Sequence, residues 1–436
     1  MWKTKLKGVA PLFLVANSLS WFSLALVIII QLAGVTSFDR ILSISISYFG
    51  ALIFSAIIGS TLLNQKLKEK NYLLSWNLMG VFSCLLFYFF VPQANLSTLA
   101  ILSLVLGGSI GLGLPACFSL FANQTRSDMR GRLGGVIFFV IQILTALIIL
   151  PLDGVGIEYQ FLFLSIWRLL GIVSIIFFTL GEKPVAKQKT SLLTILRERK
   201  FILYFLPWFM CALINFIEIP ITMRQMGTQV YNTSILVTFV ISSFSGIGGG
   251  ILCDLKGRKA TGILGFVLLG LSYAILSFLS DFSGQQLAQI LYLLFDGTAW
   301  GILYVTFVFV VWGDLSEGNN REKYYVLGGI PFLFSGLVQE LVQPFAKFIP
   351  ITASFTLTSF FLFIAILPLL YVPESLPEKF MKDRDISSYI NKALQTAHKE
   401  TEKDRQKRSE KNEKDKENSK QTPEDVEAQR LAEKYY

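Results

Sequence analysis

Four charged side chains fall inside long apolar runs of this chain: Arg168, Glu218, Asp296 and Glu340. A charge inside a bilayer is costly enough to mark a binding or proton-carrying site, or a structural partner. Asp296 is the sharpest case. At ~1.5 Å per residue it lies about 15 Å into its run, near mid-membrane. It belongs to FDGTAWGILY (295–304), where Thr298, Trp300 and Tyr304 supply hydrogen bonding and ring surface. Such a carboxylate takes up a proton, binds a cationic group, or closes a structural ion pair. Arg168 lies at similar depth in a half with no acid well inside any run. Its natural partners are Gln142, backbone carbonyls or a bound anion. Glu218 and Glu340 sit near the ends of their runs, where a carboxylate can snorkel to the outer mouth. Asn17 and Ser20, like Asn215 and Glu218, are three residues apart, so each pair shares a helix face. With Trp21 beside the first pair, these faces either line a polar cavity or hydrogen-bond between helices.

A second constellation lies outside the apolar runs. In GGGILCDLKGRK (248–259) a Gly-rich run ends in Asp254, Gly257, Arg258 and Lys259, and another apolar run begins at once. Physically this is a very short loop between two membrane helices, with its bases held at a lipid surface.

The elements that must position these groups are helices. The chain of 436 residues is 53% hydrophobic, only 16% charged, and contains 38 Phe. That composition belongs to a polytopic all-α membrane protein. Apolar runs long enough to span fall at about 9–33, 41–64, 72–92, 97–122, 132–152 and 159–180. A second set falls at about 200–219, 232–253, 260–280, 286–314, 324–346 and 351–372. The basic start MWKTKLK leads into a run too long for a signal peptide and without an A-x-A site, so it is read as the first span. Loop charge tests the count. With the N-terminus inside, the inner segments before the tail carry 20 Lys and Arg, and the outer loops only Arg40, Arg224 and Lys347. This asymmetry predicts a multi-pass protein of the cell membrane with both ends cytoplasmic.

The expected domains are a six-helix bundle over 1–180, a cytoplasmic linker over 181–199 with LLTIL as a short surface helix, and a second bundle over 200–372. A tail follows over 373–436, with fifteen basic and fifteen acidic residues. The halves echo one another: RGRLGG (130–135) against REKYYVLGG (321–329), and Pro11 with Asn17 against Pro207 with Asn215. Such echoes point to duplicated halves. In the tail, Ile386, Tyr389, Ile390, Leu394 and Ala397 fall at helical spacing, as for an amphipathic helix on the membrane face. Residues 400–421 have no apolar side chain and are expected to be solvated, and Thr422-Pro423-Glu424-Asp425 reads as the start of a last short helix.

Several classes are excluded or disfavoured. Cys84, Cys117, Cys211 and Cys253 have no metal-ligand spacing, and the single His398 lies in the tail. The glycines of 107–113 and 246–250 follow no strand and end in no Gly-Lys-Ser/Thr, so they are packing positions rather than nucleotide loops. No nucleophile–base pair lies in the spans, so an enzyme is not expected, nor is a cofactor, a metal or a nucleic-acid partner.

Twelve spans as six plus six, a central linker and the 250–259 loop together resemble the major facilitator superfamily of secondary transporters, over about residues 8–372. RGRLGG is similar to a basic-Gly element the family often has between spans 4 and 5, and PESLPE (373–378) to the exit from span 12 of sugar-type porters. The resemblance implies alternating access around a central site, with spans 1, 4, 7 and 10 lining the cavity. It also implies a gating loop of Gly250, Asp254, Gly257, Arg258 and Lys259, with Asp254 meeting the amino end of span 5 near Gly131–Gly135, beside Arg130 and Arg132. The first-half counterpart GSTLLNQKLKEK (59–70) has lost the acid and the second glycine, so the gate is expected to be asymmetric. Candidate solute- or proton-binding residues are Asp296, Trp300, Tyr304, Asn17, Trp21, Asn215, Glu218, Gln142, Arg168 and Glu340. The expected partners are a small-molecule solute, protons if transport is coupled, and membrane lipids, with the chain a monomer. The rival from another class is a non-transporting membrane scaffold or receptor acting through its charged tail.

Overall fold

The computed structural model describes residues 2–34, 37–63, 69–152, 154–176, 190–279, 285–316 and 320–376, and in the tail 386, 390, 392–397, 399–403, 405–407, 412 and 422–435. Residues 181–189 of the linker, residues 64–68 and 177–180, Tyr389 and His398 lie outside the described residues.

In hydrocarbon each backbone N–H and C=O must be satisfied within its own segment, and the helix is the form that does this for a single run. Twelve described helices are long and apolar enough to cross a membrane. They are span 1 (Ala10–Ala33), span 2 (Phe38–Thr61), span 3 (Glu69–Gln93), span 4 (Leu96–Gln124), span 5 (Arg130–Leu152) and span 6 (Ile157–Ile176). The second six are span 7 (Arg199–Met226), span 8 (Gln229–Lys256), span 9 (Arg258–Phe278), span 10 (Gln286–Leu315), span 11 (Arg321–Phe348) and span 12 (Ile351–Tyr371). The count matches the hydropathy reading. The ends differ by up to seven residues, most at the end of span 7, because caps, rather than apolar content, stop a helix. Ser37 and Asn95 accept the Arg40 and Thr98 N–H groups at the starts of spans 2 and 4. Arg224, expected in an outer loop, is instead in the last turn of span 7, where it donates to the Ala346 and Ile349 carbonyls at 2.6 Å.

Spans 1–6 pack among themselves, chiefly 2 on 4, 3 on 6, and 1 against 4, 5 and 6. Spans 7–12 do likewise, with 9 and 8 on 10, 9 on 12, and 11 on 7. The two sets meet along spans 5 and 8 and along spans 2 and 11, two contacts related by the internal repeat. Chain alternation puts the ends at 124–130, 256–258 and 315–321 on one side, hereafter the basic face.

The residues divide into two compact units at 376/377. Glu374 therefore belongs with the spans, although the sequence places it in the tail. In the second unit a helix covers Pro423–Tyr435, and the Asp425 carboxylate accepts the Thr422 hydroxyl at 2.6 Å and its N–H at 3.2 Å. Upstream, Leu192–Leu196 is a short helix capped by the Ser191 hydroxyl.

Candidate functional site

The tightest approach between the halves is where spans 5 and 8 cross near the basic face. Both carry glycines four apart, Gly131 and Gly135 against Gly246 and Gly250, and the helices run in opposite directions. A Cβ on Gly250 would lie 2.1 Å from the Gly131 carbonyl oxygen, one on Gly131 2.4 Å from that of Gly250, and one on Gly135 2.5 Å from that of Gly246. Only glycine permits this backbone contact, the small-residue packing expected in membranes.

That approach places Asp254, one turn beyond Gly250, over the amino end of span 5. Its Oδ1 accepts the Gly131 N–H and its Oδ2 the Arg132 N–H, both at 2.9 Å. A carboxylate there satisfies two of the orphan donors of the helix start and meets its partial positive charge. Arg132, 3.7 Å from Oδ2 but 47% exposed, adds little.

The turn after Asp254 is one residue. Span 8 ends at Lys256 and span 9 begins at Arg258, leaving Gly257 at φ +95°, a left-handed conformation that favours glycine. Arg258 is folded inward and fully buried. It donates to Asp254 at 3.2 Å, the Cys253 carbonyl at 2.7 Å, Asp314 at 2.8 Å and the Ser127 carbonyl. Asp314 also accepts from Arg130, which bonds the Ala122 and Thr125 carbonyls. One carboxylate thus joins an arginine from each half. Glu374 repeats the Asp254 arrangement within the second half, accepting the Arg258 and Lys259 N–H groups at 2.8 and 3.1 Å at the start of span 9. Lys259 Nζ reaches the Leu370 carbonyl at 2.6 Å, so it ties span 9 to span 12.

Asp314 and Glu374 were missed as site residues. The signal for Asp314 was an excess of bases at this face; Glu374 stood in the PESLPE segment, but nothing there gave its target.

The equivalent start of span 11 is met by the linker. Three side chains make these contacts. Asn320 donates to the Thr190 hydroxyl at 2.9 Å, Lys323 to the Thr190 carbonyl at 2.6 Å, and the Tyr324 hydroxyl to Glu198 at 2.6 Å. Arg321 crosses to Asn123 at the end of span 4.

Between the halves, deeper in, is a cavity of about 50 Å³ bounded by spans 1, 2, 4, 7, 10 and 11. Its ring-bearing walls are Phe22 and Phe118 from one half and Trp208, Tyr304, Trp312, Tyr325 and Phe332 from the other, and no lining residue is charged. Phe118 stacks on Tyr325 across the halves at 5.4 Å, and Phe138 on Tyr304 at 4.8 Å. Span 10 is π-helical from Tyr304 to Val311, where it borders this cavity. Such widened turns concentrate at functional sites.

Of the ten candidates for solute or proton binding, only Tyr304 lines that cavity. Asn17 donates to the Trp167 carbonyl at 2.8 Å, and Ser20 accepts from the Trp167 indole at 3.0 Å, so this face of span 1 is turned to span 6. Asn215 accepts from Tyr273 at 2.9 Å and from Trp300 at 3.3 Å. Glu218 accepts from Ser354 and Thr358 of span 12 at 2.5 and 2.6 Å. Neither Glu218 nor Glu340 snorkels: they are 3% and 1% exposed, and each keeps one carboxylate oxygen with no partner. Gln142 does not reach Arg168; it crosses to Ser242 of span 8 at 3.2 Å. Arg168 lies between the rings of Trp21 (4.4 Å) and Trp76 (4.1 Å), donates to Ser18 at 2.7 Å, and leaves Nε and Nη2 without partners. The indole faces supply what no acid does, a favourable field for the cation. Asp296 is buried in the second half, one turn before Trp300 on span 10 and near Tyr231, Tyr273 and Tyr292. Its Oδ1 has no partner.

The sequence matches the family described as Major Facilitator Superfamily over residues 11–330. Among solved structures, the fold is similar to the proton:xylose symporter XylE bound to 6-bromo-6-deoxy-D-glucose, with a TM-score of 0.62 and 13% identity, covering 86% of this chain and 96% of that one. It is also similar to the human organic anion transporter MFSD10 (TETRAN), with a TM-score of 0.60 and 14% identity, covering 84% and 99%. No characterised protein sequence matches the chain.

Proposed function

Since the chain belongs to the Major Facilitator Superfamily, we propose that this membrane transporter moves a small solute by alternating access, coupled to a proton taken up at Asp296. The observation that carries the reading is the lock on the basic face. Asp254 of one half sits on backbone N–H groups of the other, a contact that parts if the halves rock open there. A contact made in one state only biases the equilibrium between states by its own free energy. The ring-walled cavity without charge favours a solute with an apolar or ring face and a few hydrogen-bonding groups. The two similar structures carry different solutes by name, so fold does not choose between them.

Proton coupling rests on Asp296. A buried carboxylate with one oxygen unpartnered, and no cation bonded to it among the described residues, is stabilised by gaining a proton, and water reaching it as the halves rock would take that proton away. In proteoliposomes, a pH gradient is expected to drive accumulation of the solute, and Asp296→Asn to reduce it to equilibration. An Asp296→Asn protein that still accumulates solute against its gradient overturns this assignment.

The lock has its own test. Asp254→Asn keeps the shape but loses the charge-assisted acceptor of two N–H groups, at a cost of about 1–3 kcal/mol. A cysteine replacing Ala122, which is 1% exposed beneath the closed face, should then react with a water-soluble maleimide roughly tenfold faster or more. Unchanged labelling would remove Asp254 from the gate.

A further inference from the structure

On the membrane side of the second half, spans 7 and 12 leave a groove of about 240 Å³. It is separate from the central cavity and shares no residue with it. Ile214, Ile217, Leu357 and Phe361 form its deeper walls, and Leu357 and Phe361 are exposed to the lipid. Glu218 lines the same groove, yet it is 3% exposed.

The bonding of Glu218 is half complete. Ser354 and Thr358, one turn apart on span 12, both donate to Oε1, at 2.5 and 2.6 Å. Oε2 is buried and has no partner, and no basic side chain pairs with the carboxylate among the described residues. An ionised carboxylate only accepts hydrogen bonds. What the groove lacks is therefore a donor, a positive charge and an apolar body, three properties that one ligand can bring together.

Orientation narrows the choice. Ser354 lies in the first turn of span 12, at the end away from the basic face, whereas Phe361 and Ile214 lie deeper. A head group at Glu218 would sit near the membrane boundary with its chain running along Leu357 and Phe361 toward mid-membrane, as in a leaflet. The deeper walls carry no base to meet a phosphate, which disfavours an aminophospholipid.

We propose that this groove binds an amphiphile whose single apolar chain ends in a primary ammonium, drawn from the leaflet opposite the basic face. The ammonium donates to Oε2 and supplies the missing countercharge, while the chain covers the apolar walls. This site is additional to the solute path.

The test uses the full chain in phosphatidylcholine nanodiscs titrated with dodecylammonium, measured as excess over empty nanodiscs. Dodecanol is the uncharged control of equal chain length. The wild type is expected to bind one equivalent of dodecylammonium, and Glu218→Gln to bind it about tenfold more weakly or worse, as for loss of a charged hydrogen bond. Leu357→Trp, a change on the lipid side that fills the groove and leaves the carboxylate intact, should block binding equally. Three results overturn the proposal. They are equal affinity for wild type and Glu218→Gln, dodecanol competing as well as the amine, and displacement of the amine by phosphatidylethanolamine, which would make a phospholipid the occupant.

Discussion

Asp314→Asn is expected to be the most damaging change to any ionisable side chain on the basic face, and to loosen that face as well as destabilise the fold. The carboxylate has no solvent exposure and stands between two buried arginines, Arg130 of the first half and Arg258 of the second. Neutralising it leaves Arg130 with carbonyl and hydroxyl acceptors only, and leaves Arg258 with Asp254 as its one remaining acid. Removing one member of a buried ion pair costs about 3–5 kcal/mol, because the survivor keeps its desolvation penalty. Here one acid serves two bases, so the upper end of that range is expected. Since the Arg130 bond crosses the halves, part of the cost falls on the closed arrangement alone. Two readouts should move together: a lower unfolding midpoint and faster labelling of a cysteine at position 122. A variant with wild-type values of both would mean that the two arginines are satisfied by carbonyls alone.

Why Asp254 was legible in the sequence and Asp314 was not follows from what each needs. Hydropathy placed Asp254 beside a very short loop between two helices, and the family resemblance supplied its partner, the start of span 5. Asp314 lies at a helix end where a solvated acid is the ordinary reading. Its burial follows from Arg258 folding inward, which depends on the contact of spans 5 and 8. Twelve spans, the cluster of bases and the glycines as packing positions could thus be read locally, while the contact of Asp254 with the start of span 5 was expected from the family resemblance. The pairing of those bases could not be read.

The polar pairs on spans 1 and 7 show the same boundary from another side. Spacing of three fixes that Asn17 and Ser20 share a face, and likewise Asn215 and Glu218. It does not fix which neighbour that face meets, and both faces turned into their own halves, toward Trp167 and toward Ser354 and Thr358. A helix–helix bond satisfies a polar group without admitting water, so it competes well with lining a cavity. The cavity walls escaped notice for a simpler reason. Rings suit lipid, core and cavity alike, and with 38 Phe in the chain no spacing singles out Phe118 or Phe332. Arg168 is intermediate: its depth was legible, but its two indole partners come from spans 1 and 3 and had no signature near it.

Gly250→Val is expected to trap the transporter with the basic face open. A Cβ at this position meets a backbone carbonyl oxygen at 2.1 Å, and backbone cannot move aside by a rotamer change. Spans 5 and 8 must therefore separate, and because Asp254 lies one turn along the same helix, separation also draws its carboxylate off Gly131 and Arg132. One substitution thus removes the packing and the charged lock together. Moving a two-state equilibrium from 99:1 to 1:99 takes about 5.5 kcal/mol, which the loss of both contacts can approach and the loss of Asp254 alone cannot. Uptake should fall to background, and the cysteine at position 122 should label nearly completely. The unfolding midpoint should drop less than in Asp314→Asn, since opening parts Arg130 from Asp314 but admits water to the freed arginine, while Asp314 keeps Arg258 within its own half. Gly248 is the internal control: it lies on the same helix, and a Cβ there meets nothing within 4 Å. If Gly250→Val transported as Gly248→Val does, the crossing of spans 5 and 8 would be permanent packing, and the moving contact would have to be sought between spans 2 and 11.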